Sequence, residues 1–233
     1  MMKLNDIRVA IGGKELFHIS EFQLKKGTMT ALLGKNGSGK STFLRGLCGF
    51  TQDITGNIDF FGCKMQFGKS FRPFSGMVYV PVKQPVFGRV TLLDVILSGR
   101  SSTRNFLDIP SQEEKQEALS VLEIFYLQEF ATSIFTELSD GEQKMGLVAR
   151  AIFQNAEVIL LDEPEAFLDV GNRSRMFKEL RKLADSGKII LLSTHQPNLA
   201  TRYCDKVAYI HQKKLHCIPA TECSEELVEE MFG

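Results

Sequence analysis

Two segments rich in apolar positions, Ile7–Ile11 and Leu16–Leu24, read as strands, and the Gly12-Gly13 pair that they flank is a hairpin signal. Gly27 then precedes the apolar strand Met29–Leu33, which runs into a glycine-rich turn and a helix from Ser41. Short strands follow around Asn57–Phe61 and Val78–Val80. From about Thr91 to Gln154 the pattern becomes helical. Ser111, with Glu113 and Glu114 behind it, marks a helix start, and Ala118, Leu119, Leu122 and Phe125 supply one apolar stripe. Strand and helix alternate again from Val158: VILLD as strand, Arg173–Ala184 as helix, Ile189–Ser193 as a buried strand, then Val207–Ile210. Ser224 caps a last helix to Phe232, with Leu227, Val228, Met231 and Phe232 on one side. Short apolar runs alternating with helices predict an α/β fold whose sheet is covered on both faces.

The length of 233 residues exceeds the roughly 100–200 of a simple domain, so one domain with an insertion is expected. Residues 1–88 and 155–233 form its core and 89–154 the helical insertion. Twenty-eight basic residues balance twenty-eight acidic ones, which argues against nucleic acid as the main partner. The five cysteines contain no CxxC pair, so reduced buried thiols are expected rather than a disulfide framework or a zinc site. No stretch approaches the roughly 18 apolar residues of a bilayer span, and the first residues lack a signal-peptide core. A soluble chain is expected, with any membrane role supplied by a partner.

Gly34-Lys35-Asn36-Gly37-Ser38-Gly39-Lys40-Ser41 fits G-x-x-x-x-G-K-[ST] between an apolar strand and a helix. Such a turn aims backbone N–H groups inward at a helix N-terminus, with Lys40 reaching the outer phosphates and Ser41 available to magnesium. Strand Val158–Asp162 ends in Asp162 and Glu163, and ligands of open α/β sheets bind beyond the carboxyl ends of the strands. Two acids after an apolar strand also describe an ordinary loop start. Beside Lys40-Ser41 they suit a metal carboxylate (Asp162) and a group that orients or deprotonates water (Glu163).

Over nearly its whole length, Leu4 to Phe232, the chain resembles the ATP-binding subunits of ABC transporters. Gln84 in VPVKQPVF looks like the Q-loop glutamine, Leu138-Ser139-Asp140-Gly141-Glu142 like the signature segment, Ala166-Phe167-Leu168-Asp169 like the D-loop, and His195 in LLSTHQ like the switch histidine. The resemblance implies a P-loop NTPase core of the ABC type, with an N-terminal antiparallel β subdomain and an inserted helical subdomain bearing the signature. It implies an ATPase in which two subunits face head to tail around two ATP molecules with Mg2+. Gly34 to Ser41 and Thr42 would hold the phosphates, and Ser139, Gly141 and Glu142 of the facing subunit would close over them near Asp169. Ser41, Gln84 and Asp162 would serve the metal. Glu163 would polarise water and His195 would reach the γ-phosphate.

Two departures from the family pattern stand out. Asp140 and Glu142 replace the glycine and glutamine of Leu-Ser-Gly-Gly-Gln, and Asp140 is expected to point away from phosphate. Ile11, about 29 positions before Lys40, stands where the family often stacks adenine on an aromatic residue, so base discrimination weakens unless Phe17 substitutes. Val90–Arg100, LSDGEQ, HQPNLATRYCD and LVEEMFG resemble importers of iron chelates, haem and cobalamin. That branch implies two membrane-spanning permease subunits, an extracytoplasmic substrate-binding protein, and a place at the cytoplasmic face of the inner membrane. Phe87, Leu92, Leu93 and Phe106 fit a groove for a permease helix or the insertion's own core. A soluble ABC-type ATPase of cofactor assembly, a transporter subunit for another cargo, and a non-hydrolysing regulator are the competing readings.

Overall fold

The computed structural model describes residues 1–68, 70–85, 88–103 and 109–232, so Phe87 and Phe106 lie outside the described residues. Its strands are β1 (Met2–Ile11), β2 (Lys14–Leu24), β3 (Thr28–Leu33), β4 (Ile54–Phe60), β5 (Cys63–Gln66), β6 (Met77–Val80), β7 (Val158–Asp162), β8 (Ile189–Ser193), β9 (Lys206–His211) and β10 (Lys214–Pro219). The helices are α1 (Lys40–Leu47), α2 (Leu92–Leu97), α3 (Gln112–Ile124), α4 (Asp140–Gln154), α5 (Val170–Asp185), α6 (Pro197–Tyr203) and α7 (Glu225–Phe232).

All ten strands join one sheet in the order β5-β4-β1-β2-β10-β9-β3-β8-β7-β6. The first four pair antiparallel, and β9, β3, β8 and β7 run parallel. The two halves meet through β10, which touches β2 at one ladder pair, Lys214 with His18. The pattern of sequence explains the difference in character. β1 and β2 alternate buried and exposed positions, whereas every residue of β7 and β8 is buried, as expected for strands covered on both faces.

The chain divides into two compact units: Met1–Tyr79, Glu157–Glu163 and Glu179–Gly233 in one, Val80–Ala156 and Pro164–Lys178 in the other. The insertion expected over 89–154 falls in the second unit, which also takes in 80–88, 155–156 and 164–178. In the first unit Phe43, Leu44 and Leu47 of α1 are buried in a core with Ile7, Phe17, Ile54, Leu160 and Leu191. Each fully buried side chain of this kind contributes about 1.5–3 kcal/mol. In the second unit α2, α3 and α4 pack on one another. Gly146 of α4 is closely approached by Leu92, so that leucine fills the insertion's own core, while Leu93 is half-buried. Capping boxes at Thr91 and Ser111 start α2 and α3, each serine or threonine exchanging hydrogen bonds with an acid three residues on.

Candidate active site

In the first unit the turn after β3 is already curled. Lys40 Nζ donates to the carbonyls of Gly34 (2.7 Å) and Lys35 (3.0 Å), and the lysine is 5% exposed. Burial pulls its pKa below the usual lysine value, opposed by the negative charges of Glu163 and Asp162, whose carboxylates therefore lie within electrostatic reach of the ammonium. Gly39 has φ +101, a backbone conformation that favours glycine, and a Cβ there would also press on the end of the Leu16 side chain at 2.8 Å. Lys35, Asn36, Gly37 and Ser41 are exposed and Thr42 is half-buried. Ser38 Oγ is shielded from solvent without a hydrogen-bond partner, a feature that phosphate oxygens would satisfy.

The carboxyl ends of β7 and β8 bring three more expected residues together. Asp162 pairs with Ser193 in the parallel ladder, and Ser193 Oγ donates to Asp162 Oδ1 at 2.5 Å. Tyr79 OH donates to Asp162 Oδ2 at 3.2 Å. Burial, and then the Asp162 charge, push the Tyr79 phenol above its ordinary pKa, so it stays a donor. Glu163, at φ +44, gives its N–H to Ser193 O (3.2 Å) and Oγ (3.1 Å), and its Oε1 lies 2.6 Å from His195 Nε2. Sequence patterns alone did not single out Tyr79 or Ser193. The register of β8 beside β7 is what makes Ser193 the neighbour of both acids.

The remaining expected residues lie in the second unit. Ser139 caps α4: its Oγ accepts from Glu142 N (3.3 Å) and donates to Glu142 Oε2 (2.6 Å), while its own N–H also reaches Glu142 Oε2 (2.8 Å). Asp140 Oδ2 accepts from Lys83 Nζ at 2.9 Å. A Cβ on Gly141 would meet the Phe167 carbonyl oxygen at 2.9 Å, so only glycine allows that backbone approach. Asp169 starts α5 by accepting from Asn172 N at 2.8 Å. Gln84 Oε1 accepts from Arg150 Nη2 at 3.0 Å.

The sequence-level alternative of Phe17 as an aromatic surface is overturned. Phe17 is fully buried, edge-on to Phe43, whereas Ile11 is 52% exposed. The cysteines are all free, but Cys63 and Cys217 are exposed, contrary to the expectation that all are buried.

The ABC transporter family matches residues 17–166, most of the chain. The chain belongs to the ABC transporter family. Within it, the chain is 35% identical over 213 residues to a manganese transport system ATP-binding protein, MntA of Synechocystis, covering 90% of this chain and 81% of that one. It is 33% identical over 230 residues to the chelated iron transport system protein YfeB of Yersinia pestis, covering 95% and 75%. A putative metal-chelate type ABC transporter in an inward-facing conformation superposes with a TM-score of 0.83 at 28% identity, covering 99% and 88%. This cassette is thus an ABC ATPase, with the ABC cassette fold. Among the described residues no helix is long and apolar enough to cross a membrane.

Proposed function

We propose that this cassette hydrolyses ATP in a head-to-tail pair of chains attached to two permease subunits, and that the cargo is a metal chelate such as an iron–siderophore, haem or cobalamin delivered by an extracytoplasmic binding protein. The observation that carries the catalytic reading is the Glu163–His195 contact of 2.6 Å at the strand ends beside the Lys40 turn. Gly34 to Thr42 cradle the phosphates with backbone N–H groups, and Lys40 turns from its loop carbonyls to the outer phosphates. Glu163 accepts the proton of an attacking water, and its exchange with His195 keeps the carboxylate aimed. Ser139 and Gly141 of the facing chain approach the γ-phosphate from the N-terminus of α4, with Glu142 steadying that turn. Asp169 fixes the start of α5 beside them.

Asp162 and Ser41 are hard oxygen donors that suit Mg2+, which binds through one or two carboxylates plus substrate phosphates. When bound, the ion neutralises phosphate charge and orients the γ-phosphate. Ser193 and Tyr79 hold the Asp162 carboxylate for it, and Gln84, whose Oε1 accepts from Arg150 within its own unit, is the third residue that the family reading gives to the ion. The cargo reading is supported by the relative named for chelated iron and by the metal-chelate type structure, while the manganese relative supports a metal cargo only in general.

Two experiments test these readings. Glu163→Gln in the assembled transporter should lower kcat by at least about 100-fold while ATP binding persists, and hydrolysis at the parent rate would remove the base role. The membrane subunit co-purifying in mild detergent, and the ligand of its binding protein, should identify a metal chelate; a sugar or amino acid there would overturn the cargo reading. Co-purification with soluble scaffold proteins instead would favour cofactor assembly.

A further inference from the structure

The first turn of α4 carries two carboxylates, Asp140 and Glu142. Glu142 is drawn back onto the Ser139 cap but keeps its negative charge, and Asp140 adds a second one to the turn that an arriving phosphate would meet. Lys83 lies against it: Nζ is 2.9 Å from Asp140 Oδ2 and 4.6 Å from the centre of the Phe167 ring. Phe167 has φ +66, an uncommon backbone conformation for a bulky residue, and its carbonyl is the one that Gly141 approaches so closely. One ammonium therefore touches Phe167 through a cation–π contact and, through an ion pair, Asp140, the residue next to Gly141. Lys144 and Arg150 of the same helix bond Pro81 O (2.8 Å) and Gln84 Oε1 (3.0 Å), so the segment carrying Lys83 is fastened to α4 on either side of it.

Lys83 and Asp140 are 61% and 50% exposed in their side chains, and a pair so exposed adds little to stability. Its effect on a third charge is a different matter. A carboxylate in the first helical turn opposes an incoming anion, and a lysine beside it cancels that field at close range.

We propose that Lys83 is a positioning residue for catalysis: it neutralises Asp140 and holds it toward Phe167, which keeps the signature turn receptive to the γ-phosphate. The proposal rests on the signature reading given under Proposed function, and it explains how Asp140 is accommodated where the family pattern has glycine.

The test is a double-mutant cycle on the full chain assembled with its permease. Lys83→Met should lower kcat about tenfold, with ATP affinity of the isolated chain unchanged, because the signature turn acts after the nucleotide is seated on the other chain. Raising the ionic strength should restore part of the loss beyond the parent's own salt response. Lys83→Arg should retain the rate. In an Asp140→Gly background, Lys83→Met should cost less than about twofold. An equal loss in both backgrounds, or no loss with Asp140 present, overturns the proposal. Ser139→Arg serves as the separate check. If it leaves hydrolysis intact the signature reading itself falls, whereas if it abolishes hydrolysis while Lys83→Met does nothing, only the role of Lys83 falls.

Discussion

The two units hold their chemical groups by different means. In the first, Asp162, Glu163 and Ser193 stand at the ends of strands buried along their whole length, and the bonds that orient them come from the adjoining strand. In the second, Ser139, Asp140 and Glu142 stand at the exposed start of a helix and are oriented by side chains three residues away or on a surface loop. On the function proposed above, the groups that serve bond making are placed by the sheet. Those that would meet the facing chain are placed by local networks that water can enter.

Removing the same atom from each unit sharpens this contrast. Ser193→Ala strips a buried carboxylate of its short hydrogen bond and the Glu163 N–H of one acceptor, so it should cost about 3 kcal/mol in chemical denaturation and lower kcat by at least about tenfold. Ser139→Ala removes only an exposed cap and should cost about 1 kcal/mol. Equal losses would break the comparison. The smallest expected effect comes from thiols. Burial pushes Cys48 up to about 12, above its ordinary 9.0. The raised value means that Cys48 contributes stability fully present below about 9, which declines as pH rises from about 9 toward about 12. Alkylation at pH 8 should accordingly label exposed Cys63 and spare Cys48 in the native chain; rapid labelling of Cys48 would show that its core opens.

Legibility in the sequence follows the same division. Apolar strands ending in chemistry are visible in a string of letters, so the turn at Gly34–Ser41 and the acids after Leu161 were readable, and Val158–Asp162 and Ile189–Ser193 match their strands to the residue. β10 was not anticipated because its residues are mostly exposed or half-buried and show no alternation, and the short edge strand β5 has the same defect. The helix expected from Arg173 begins at Val170, since Asp169 caps it and Val170 is exposed rather than part of an apolar stripe. Tyr79 on Asp162 joins residues 83 apart, and Lys83 on Asp140 residues 57 apart, separations that no local pattern reveals. Ile11 was readable as a departure, but only burial shows that Phe17 offers no ring face in its place.

The sheet also has a seam. Between β2 and β10 the ladder is the single pair of Lys214 with His18, beside one further backbone bond from His18 N to Lys213 O at 2.8 Å. With so thin a backbone stitch, the antiparallel leaf is tied to the parallel one chiefly by the side-chain core that Ile7, Phe17 and Phe43 share with Leu160 and Leu191.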